Sequence, residues 1–313
     1  MQEQIDVSVL MLTYYHEKYV AQALDSVLSQ QTNLRYEILV GDDASGDRTQ
    51  EIIKEYAARY PEIIRPVLRS QNIGATQNGV DTSRYAKGKY MAYLEGDDFW
   101  LDPFKMQKQF DFLEANPEYI ACCGKCLIVD ENGIPDYTRS PQFVENKKVF
   151  TLQDYIERWN LAGQAGTVMR RRPKDGEFDD AYTSHRTVGD KTDALILLSL
   201  GNFYCSNEVL SAYRRVTSKD GHNYFSQHYA NPYRNYDMFM YPCHLEAWGK
   251  KRLGLDRKVH LGPRRDYRFA RFVEQTVHEP SWNRLKYLGE MIIASRQPVK
   301  YGWLLLKTLI EME

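Results

Sequence analysis

Two pairs of adjacent carboxylates, Asp42-Asp43 and Asp97-Asp98, are the residues of this 313-residue chain best suited to chemistry. Each stands just beyond a short apolar run, Tyr36–Val40 for the first and Tyr90–Leu94 for the second. Like-charged carboxylates repel, so two such pairs brought together need a cation or hydrogen-bond donors. A divalent metal with oxygen ligands meets that need and can in turn grip a diphosphate. Spacing alone leaves a second reading open. Either pair could cap a helix or turn, and Asp42-Asp43-Ala44-Ser45-Gly46-Asp47 has the composition for it.

The elements that must position these residues alternate. Val7–Leu12, Tyr36–Val40, Ile64–Leu68 and Tyr90–Leu94 read as buried strands. Between them, Val20, Leu24, Val27 and Leu28 recur at helical spacing, and Thr49 opens a helix stopped by Pro61. A further helix is predicted around Gly79–Tyr85. Such alternation implies an α/β fold with a mostly parallel sheet flanked by helices. Ligands of open parallel sheets bind beyond the carboxyl ends of the strands, where both acidic pairs fall.

Asp102-Pro103 reads as a helix start, and Met106, Phe110 and Leu113 share one face of the helix that follows. Tyr119–Val129 reads as another buried strand. It contains Cys123-x-x-Cys126, which lacks the second pair a four-ligand metal site requires. Beyond Glu131-Asn132-Gly133 the pattern loosens. Asp190–Leu200 reads as a helix, Phe203–Cys205 and Val209–Tyr213 as strands, and the chain from Asp220 onward as aromatic, basic and helical.

Composition narrows the function classes. Hydrophobic residues make up 43% and the net charge is −1, which supports a sizeable core and gives no reason to expect nucleic acid as a partner. The charge is uneven. Residues 1–130 carry 13 Lys+Arg against 20 Asp+Glu, whereas residues 245–272 carry nine against three. An acidic front suits a metal site, and a basic back suits an anionic partner such as a lipid headgroup or a diphosphate. No basic region followed by an apolar run opens the chain, so reduced thiols are expected for its five cysteines. The apolar stretch Tyr301–Ile310 is about half the length a bilayer crossing needs. No phosphate-binding P-loop, dinucleotide fingerprint, zinc-protease motif or serine-hydrolase elbow is present at a telling place.

Three ordered blocks resemble the opening of family 2 glycosyltransferases: Val7–Tyr15, Ala23–Gln31, and Glu37-Ile38-Leu39-Val40-Gly41-Asp42-Asp43-Ala44-Ser45-Gly46-Asp47. Asn72-x-Gly74, Ala86–Tyr90, and Leu94-Glu95-Gly96-Asp97-Asp98 followed by Asp102-Pro103 extend the likeness over roughly residues 5–130. It implies a GT-A fold with a nucleotide-diphospho-sugar donor carrying UDP, GDP or dTDP. It implies Thr13, Tyr15 and Asp43 at the nucleobase, Asp97 near the ribose, and Asp98 holding Mn2+ or Mg2+ with Glu95 as second carboxylate. Many relatives have Asp where Glu95 stands.

A distal stretch is similar to the family as well: Val188-Gly189-Asp190, Leu195–Asn202 and Glu208–Arg214. There the resemblance assigns the catalytic base to Asp190, although Asp190 is also suited to cap a helix. A Trp often follows the base, whereas Lys191 follows here. The likeness implies a catalytic domain over residues 1–215, with a nucleotide-sugar part (1–130) and an acceptor-side part (131–215). A mostly helical extension, 216–313, completes the chain.

The expected activity is inverting sugar transfer to a glycan or lipid-linked acceptor in surface polysaccharide assembly, on the cytoplasmic side, with peripheral membrane contact through the basic, apolar C-terminal segment. Alternatives are a non-catalytic nucleotide- or glycan-binding relative and a sugar nucleotidyltransferase. Secondary candidates are His185, as an acceptor contact or a solvated loop residue, Arg170-Arg171-Arg172 at a phosphate, and His222 or His228 near the diphosphate. Trp282 and Trp303 read as core or interface, with a lipid anchor as the alternative.

Overall fold

The computed structural model describes residues 4–138, 147–174, 176–185, 189–216 and 231–311; Val188, His222 and His228 lie outside these. The chain forms two compact units. Unit 1 takes the described residues of Met1–Leu152, Asn160–Asp179 and Asp193–Ser218, and unit 2 those of Gln153–Trp159, Asp180–Thr192 and Lys219–Glu313.

Unit 1 holds every strand assigned among the described residues. β1 (Val7–Thr13), β2 (Tyr36–Asp42), β3 (Ile64–Leu68) and β4 (Tyr90–Glu95) lie in the order β3-β2-β1-β4 and are all parallel. Their apolar runs are covered on both faces, so Val7, Val9, Met11, Ile38 and Val40 are fully buried. Each such side chain contributes about 1.5–3 kcal/mol on burial.

The other half of the sheet is mixed. β8 (Met169–Arg171) runs antiparallel between β4 and β6 (Tyr119–Val129), and β9 (Asn202–Arg214) runs parallel to β6. β5 (Phe99–Trp100) and β7 (Val149–Phe150) add antiparallel pairs on β9. Phe203–Cys205 and Val209–Tyr213 are thus parts of one bulged strand, whose register against β6 shifts between Cys123 and Cys126. Cys123 and Cys126 are buried free thiols within β6, as a strand reading requires.

The helices α1 (Val20–Leu28), α2 (Thr49–Arg59), α3 (Ala75–Ser83) and α4 (Lys105–Ala115) flank the sheet. α1 turns Val20, Leu24 and Val27 inward as its spacing predicts, together with Ala23, while Leu28 is partly buried. α3 starts four residues earlier than expected, after Gly74 at φ 87°, a backbone bend open to glycine at little cost. Asp102 does not cap α4 directly. Its Oδ1 accepts from the Phe104 N–H and its carbonyl from the Lys105 N–H, which makes a lead-in turn.

The chain passes through α5 (Leu152–Arg158), α6 (Asp179–Tyr182) and α7 (Asp190–Leu200) before β9. In unit 2, α8 (Arg234–Arg252), α9 (Arg265–His278), α10 (Trp282–Ala294) and α11 (Pro298–Glu311) pack around Phe239, Phe269, Phe272, Met291 and Tyr301. The C-terminal region is therefore helical, as expected. Among the described residues no helix is long and apolar enough to cross a membrane.

Candidate functional site

The carboxyl ends of β1, β2 and β4 are in register. Thr13 pairs with Asp42 across β1–β2, and Leu12 with Glu95 across β1–β4. This brings Thr13, Tyr15, Asp43, Glu95, Asp97 and Asp98 to one edge of the sheet in unit 1.

Asp42 is structural. Its carboxylate accepts from Thr13 Oγ1 (2.8 Å), Ser45 N–H (3.0 Å), Ser45 Oγ (2.6 Å) and Gln50 Nε2 (2.7 Å), which fills its capacity. Asp43 is buried too, and among the described residues its carboxylate accepts from the Ile73 N–H at 2.8 Å and the Gly74 N–H at 2.9 Å alone. One lone pair remains on each oxygen for a ligand N–H. The two adjacent acids thus divide between a carboxylate whose capacity is filled and one with capacity left, a distinction their spacing does not reveal.

Tyr15 takes a left-handed backbone, φ 58°, with its N–H donating to Ser45 Oγ at 2.9 Å. Its ring lies over Gly46, where an added Cβ would stand 2.7 Å from the phenol oxygen. Gly96 is as closely held: a Cβ there would meet Thr13 Cγ2 at 2.5 Å and His16 Nδ1 at 2.8 Å. The missing side chain lets the β4 turn close onto β1, with Gly96 N–H donating to the Leu12 carbonyl at 2.8 Å. His16 Nε2 in turn stands 3.8 Å from Asp97 Oδ2.

Asp98 is 1% exposed. One oxygen accepts from the Arg214 N–H at 2.8 Å, the other from Gln164 Nε2 at 2.9 Å. Burial drives its carboxyl well above the usual range, the charges of Asp97 and Glu95 add to that, and the two hydrogen bonds oppose it without prevailing. A buried carboxyl crowded by two others is short of positive charge, which is the condition a divalent cation relieves. Among the described residues, no group of three or more His, Cys, Asp or Glu side chains is arranged to hold a metal by itself. A cation here would complete its shell with substrate oxygens, as Mg2+ does at phosphate sites.

Sequence reasoning missed Gln164 and any role for Arg214. The Arg214 guanidinium donates to the carbonyls of Asp97 (2.7 Å) and Glu131 (2.9 Å) and to Gln22 Oε1 (2.6 Å), and it lies over the Tyr19 ring. It ties β9, α1 and the turn carrying Asp97 together. Its sequence signal was only membership of the Glu208–Arg214 block.

Asp190 belongs to unit 2, where it is the first residue of α7 and is exposed. The next two residues are anchored: the Tyr155 hydroxyl donates to the Lys191 carbonyl at 2.7 Å, and Thr192 Oγ1 shares a hydrogen bond with the Tyr241 hydroxyl at 2.8 Å. The Lys191 ammonium reaches the Trp159 carbonyl and lies over the Trp159 ring; burial pushes its pKa down to about 8.

Three secondary candidates change meaning. His185 is buried rather than solvated, 3.9 Å from Asp237 and against the rings of Tyr241 and His244. Arg170 and Arg171 are β8 residues spent on Tyr93 and on Tyr90 and the Tyr119 carbonyl, and Arg172 donates to the Ala86 carbonyl. These arginines hold the sheet to its flanking segments instead of forming an exposed phosphate-binding turn. Trp282 and Trp303 lie outside the core, 82% and 64% exposed.

Comparison with known proteins bears on this arrangement. Residues 8–176 match the family model described as Glycosyl transferase family 2. An uncharacterized protein of Mycobacterium tuberculosis is 42% identical over 174 residues, 56% of this chain and 49% of its own. The chain thus spans about half the length of that curated relative. TuaG of Bacillus subtilis, provisionally named a teichuronic acid biosynthesis glycosyltransferase, is 29% identical over 69% of this chain and 82% of its own. Among solved structures, residues 1–349 of S. aureus TarS in complex with UDP-GlcNAc superpose with a TM-score of 0.62 at 15% identity, over 93% of this chain and 82% of that one. The mannosyltransferase PcManGT of Pyrobaculum calidifontis, in complex with GDP-Man and Mn2+, gives 0.51 at 14% identity over 99% and 87%. At such identities the likeness concerns the fold alone.

Proposed function

Because the chain belongs to glycosyl transferase family 2, we propose that it is an inverting, metal-dependent transferase moving a sugar from a nucleotide diphosphate to an acceptor hydroxyl. The observation that carries the reading is the meeting of Thr13, Asp43, Asp97 and Asp98 at the carboxyl ends of three adjacent parallel strands, with Asp98 buried against two like charges.

On this reading the nucleobase of UDP, GDP or dTDP lies by Thr13 and Tyr15, and Asp43 uses its remaining lone pairs on a ring N–H. Asp97, held by Arg214 through its carbonyl and flanked by His16, takes the ribose. Mn2+ or Mg2+, held by Asp98 with Glu95 as second carboxylate, would supply positive charge for the departing diphosphate. Gln164 and Arg214 fix the Asp98 carboxylate before any ligand arrives, which lowers the cost of ordering it.

Asp190 acts as general base. Its carboxylate accepts the acceptor's hydroxyl proton while that oxygen bonds to the anomeric carbon. The bond from that carbon to the diphosphate oxygen breaks in the same displacement, and the anomeric configuration inverts. The acceptor is a glycan or a lipid-linked glycan; the name of TuaG, and that of a poly(ribitol-phosphate) beta-glucosyltransferase of Bacillus spizizenii that is 27% identical over 154 residues, support a polymer-building role. A lipid-linked acceptor would bring the enzyme to the inner face of a membrane, with the C-terminal segment suited to contact it.

The test is nucleoside diphosphate release from a panel of UDP-, GDP- and dTDP-sugars, with Mn2+ and with glycan or lipid extracts as acceptor. One donor should be consumed. Asp190→Asn should slow that turnover by about 10²-fold or more while nucleotide binding persists. Unchanged turnover in Asp190→Asn removes it from the role of base.

A further inference from the structure

α11 is apolar on two opposite sides. Tyr301, Leu304, Leu305 and Thr308 face the core of unit 2, while Val299, Trp303, Leu306 and Ile310, at helical spacing, point outward and are all exposed. Val299 is 86% exposed and Ile310 71%. α10 repeats the arrangement: Arg284, Leu288 and Met291 turn inward, and Trp282, Leu285 and Ile293 outward. A surface helix of a soluble domain carries one apolar stripe, and a second calls for a partner.

The charge around this face tells which. Trp282–Glu311 carries five Lys+Arg against two acids. The last turn of α8 and its connection to α9, residues 250–264 together, carry six against one, with Lys251, Arg257, Lys258 and Arg264 exposed. A hydrogen bond between His260 and Gln297, 3.1 Å, places that basic connection beside the turn joining α10 to α11. A two-fold pairing of the face with a second copy would set these positive charges against their own kind. Anionic lipid headgroups would neutralise them, while tryptophan side chains take the headgroup level and leucine and isoleucine reach the acyl boundary.

We propose that the outer faces of α10 and α11, with the basic α8–α9 connection beside them, form a docking surface for an anionic lipid bilayer. The surface lies wholly within unit 2. The proposal deepens the reading of a membrane-side acceptor, yet lipid binding can be measured whether or not transfer occurs. The protein binds this surface reversibly, by apolar area and charge together, and no described helix is long and apolar enough to cross the bilayer.

The experiment is co-sedimentation of the full chain with vesicles of phosphatidylcholine alone and of phosphatidylcholine mixed with phosphatidylglycerol. Binding to the anionic vesicles should be tighter by about tenfold, weaken with salt, and shift tryptophan emission to the blue. W303E/L306E changes only exposed positions of α11. It should lose at least about tenfold in vesicle binding while its circular dichroism and nucleotide binding stay unchanged. Absence of binding by the folded wild type, or equal binding by the variant, overturns the proposal. So does a concentration-dependent dimer that W303E/L306E dissociates, which would give the face to a second copy. Nucleotide binding measured on the same samples reports separately on the transferase reading.

Discussion

Lys105→Met should stabilise the protein near neutral pH and lose that advantage in alkali. Lys105 is completely buried in the first turn of α4, its Nζ 4.0 Å from the Trp100 ring centroid and without a hydrogen-bond partner among the described residues. Burial lowers its pKa from 10.5 to about 7, against the opposing pull of Cys122 and Asp102. The folded pKa is below the unfolded one, so between these values the unfolded chain binds more protons and stability rises with pH. The 3.5-unit gap, from 10.5 to about 7, is a ceiling of about 5 kcal/mol. Near pH 7, with the folded group half protonated, about 4 kcal/mol of that cost is felt, and near pH 9.5 about 1.5 kcal/mol. Methionine keeps the stem's packing and removes the titrating ammonium, whose contact with the Trp100 ring exists only in the charged form. The gain near pH 7 should therefore exceed that near pH 9.5 by about 2.5 kcal/mol. Urea unfolding at both pH values reads it. A change of equal size at the two pH values would refute the reasoning, because a packing effect does not titrate.

Asp98→Ala should remove from the metal-free protein the part of its stability that falls as pH rises, read as a flatter melting temperature against pH. The carboxyl's folded pKa is raised, so ionising it costs stability as pH climbs from the unfolded value through the folded one. Arg214→Lys cannot reach the carbonyls of Asp97 and Glu131 and Gln22 together, and should cost about 2–3 kcal/mol in urea unfolding. Gly96→Ala drives a methyl to within 2.5 Å of Thr13 Cγ2. It should cost about 1–3 kcal/mol and weaken nucleotide binding, measured by calorimetry, through displacement of the Asp97 turn. Unimpaired binding in that variant would mean the turn is not part of the nucleotide site.

The parallel half of the sheet was legible in the sequence because its strands are short apolar runs and α1 and α2 carry apolar stripes, whereas α3 buries Asn78 and Thr82 and its start was not legible. The same runs place the two acidic pairs at strand ends. What sequence could not give is how Asp42 and Asp43 divide their work, since that depends on Ser45, Gln50 and the Ile73–Gly74 backbone arriving from separate elements. Arg214 and Gln164 were hidden for the same reason. They reach the Asp97–Asp98 turn from more than sixty residues away, and no local periodicity encodes that return. β8 broke the expected parallel order because its run is three residues long and carries Arg170 and Arg171, so it reads as a polar connection. The burial of the His185 side chain is not legible in sequence because only the tertiary fold brings Asp237 and His244 around it.

Metal-dependent nucleotide binding tests the central claim most directly. Calorimetric titration of UDP, GDP and dTDP, each with and without Mn2+, should find one that binds with the metal and markedly more weakly without it, and Asp98→Ala should abolish the difference. Binding of none of the three in the presence of Mn2+, by a protein shown to be folded, would contradict the account.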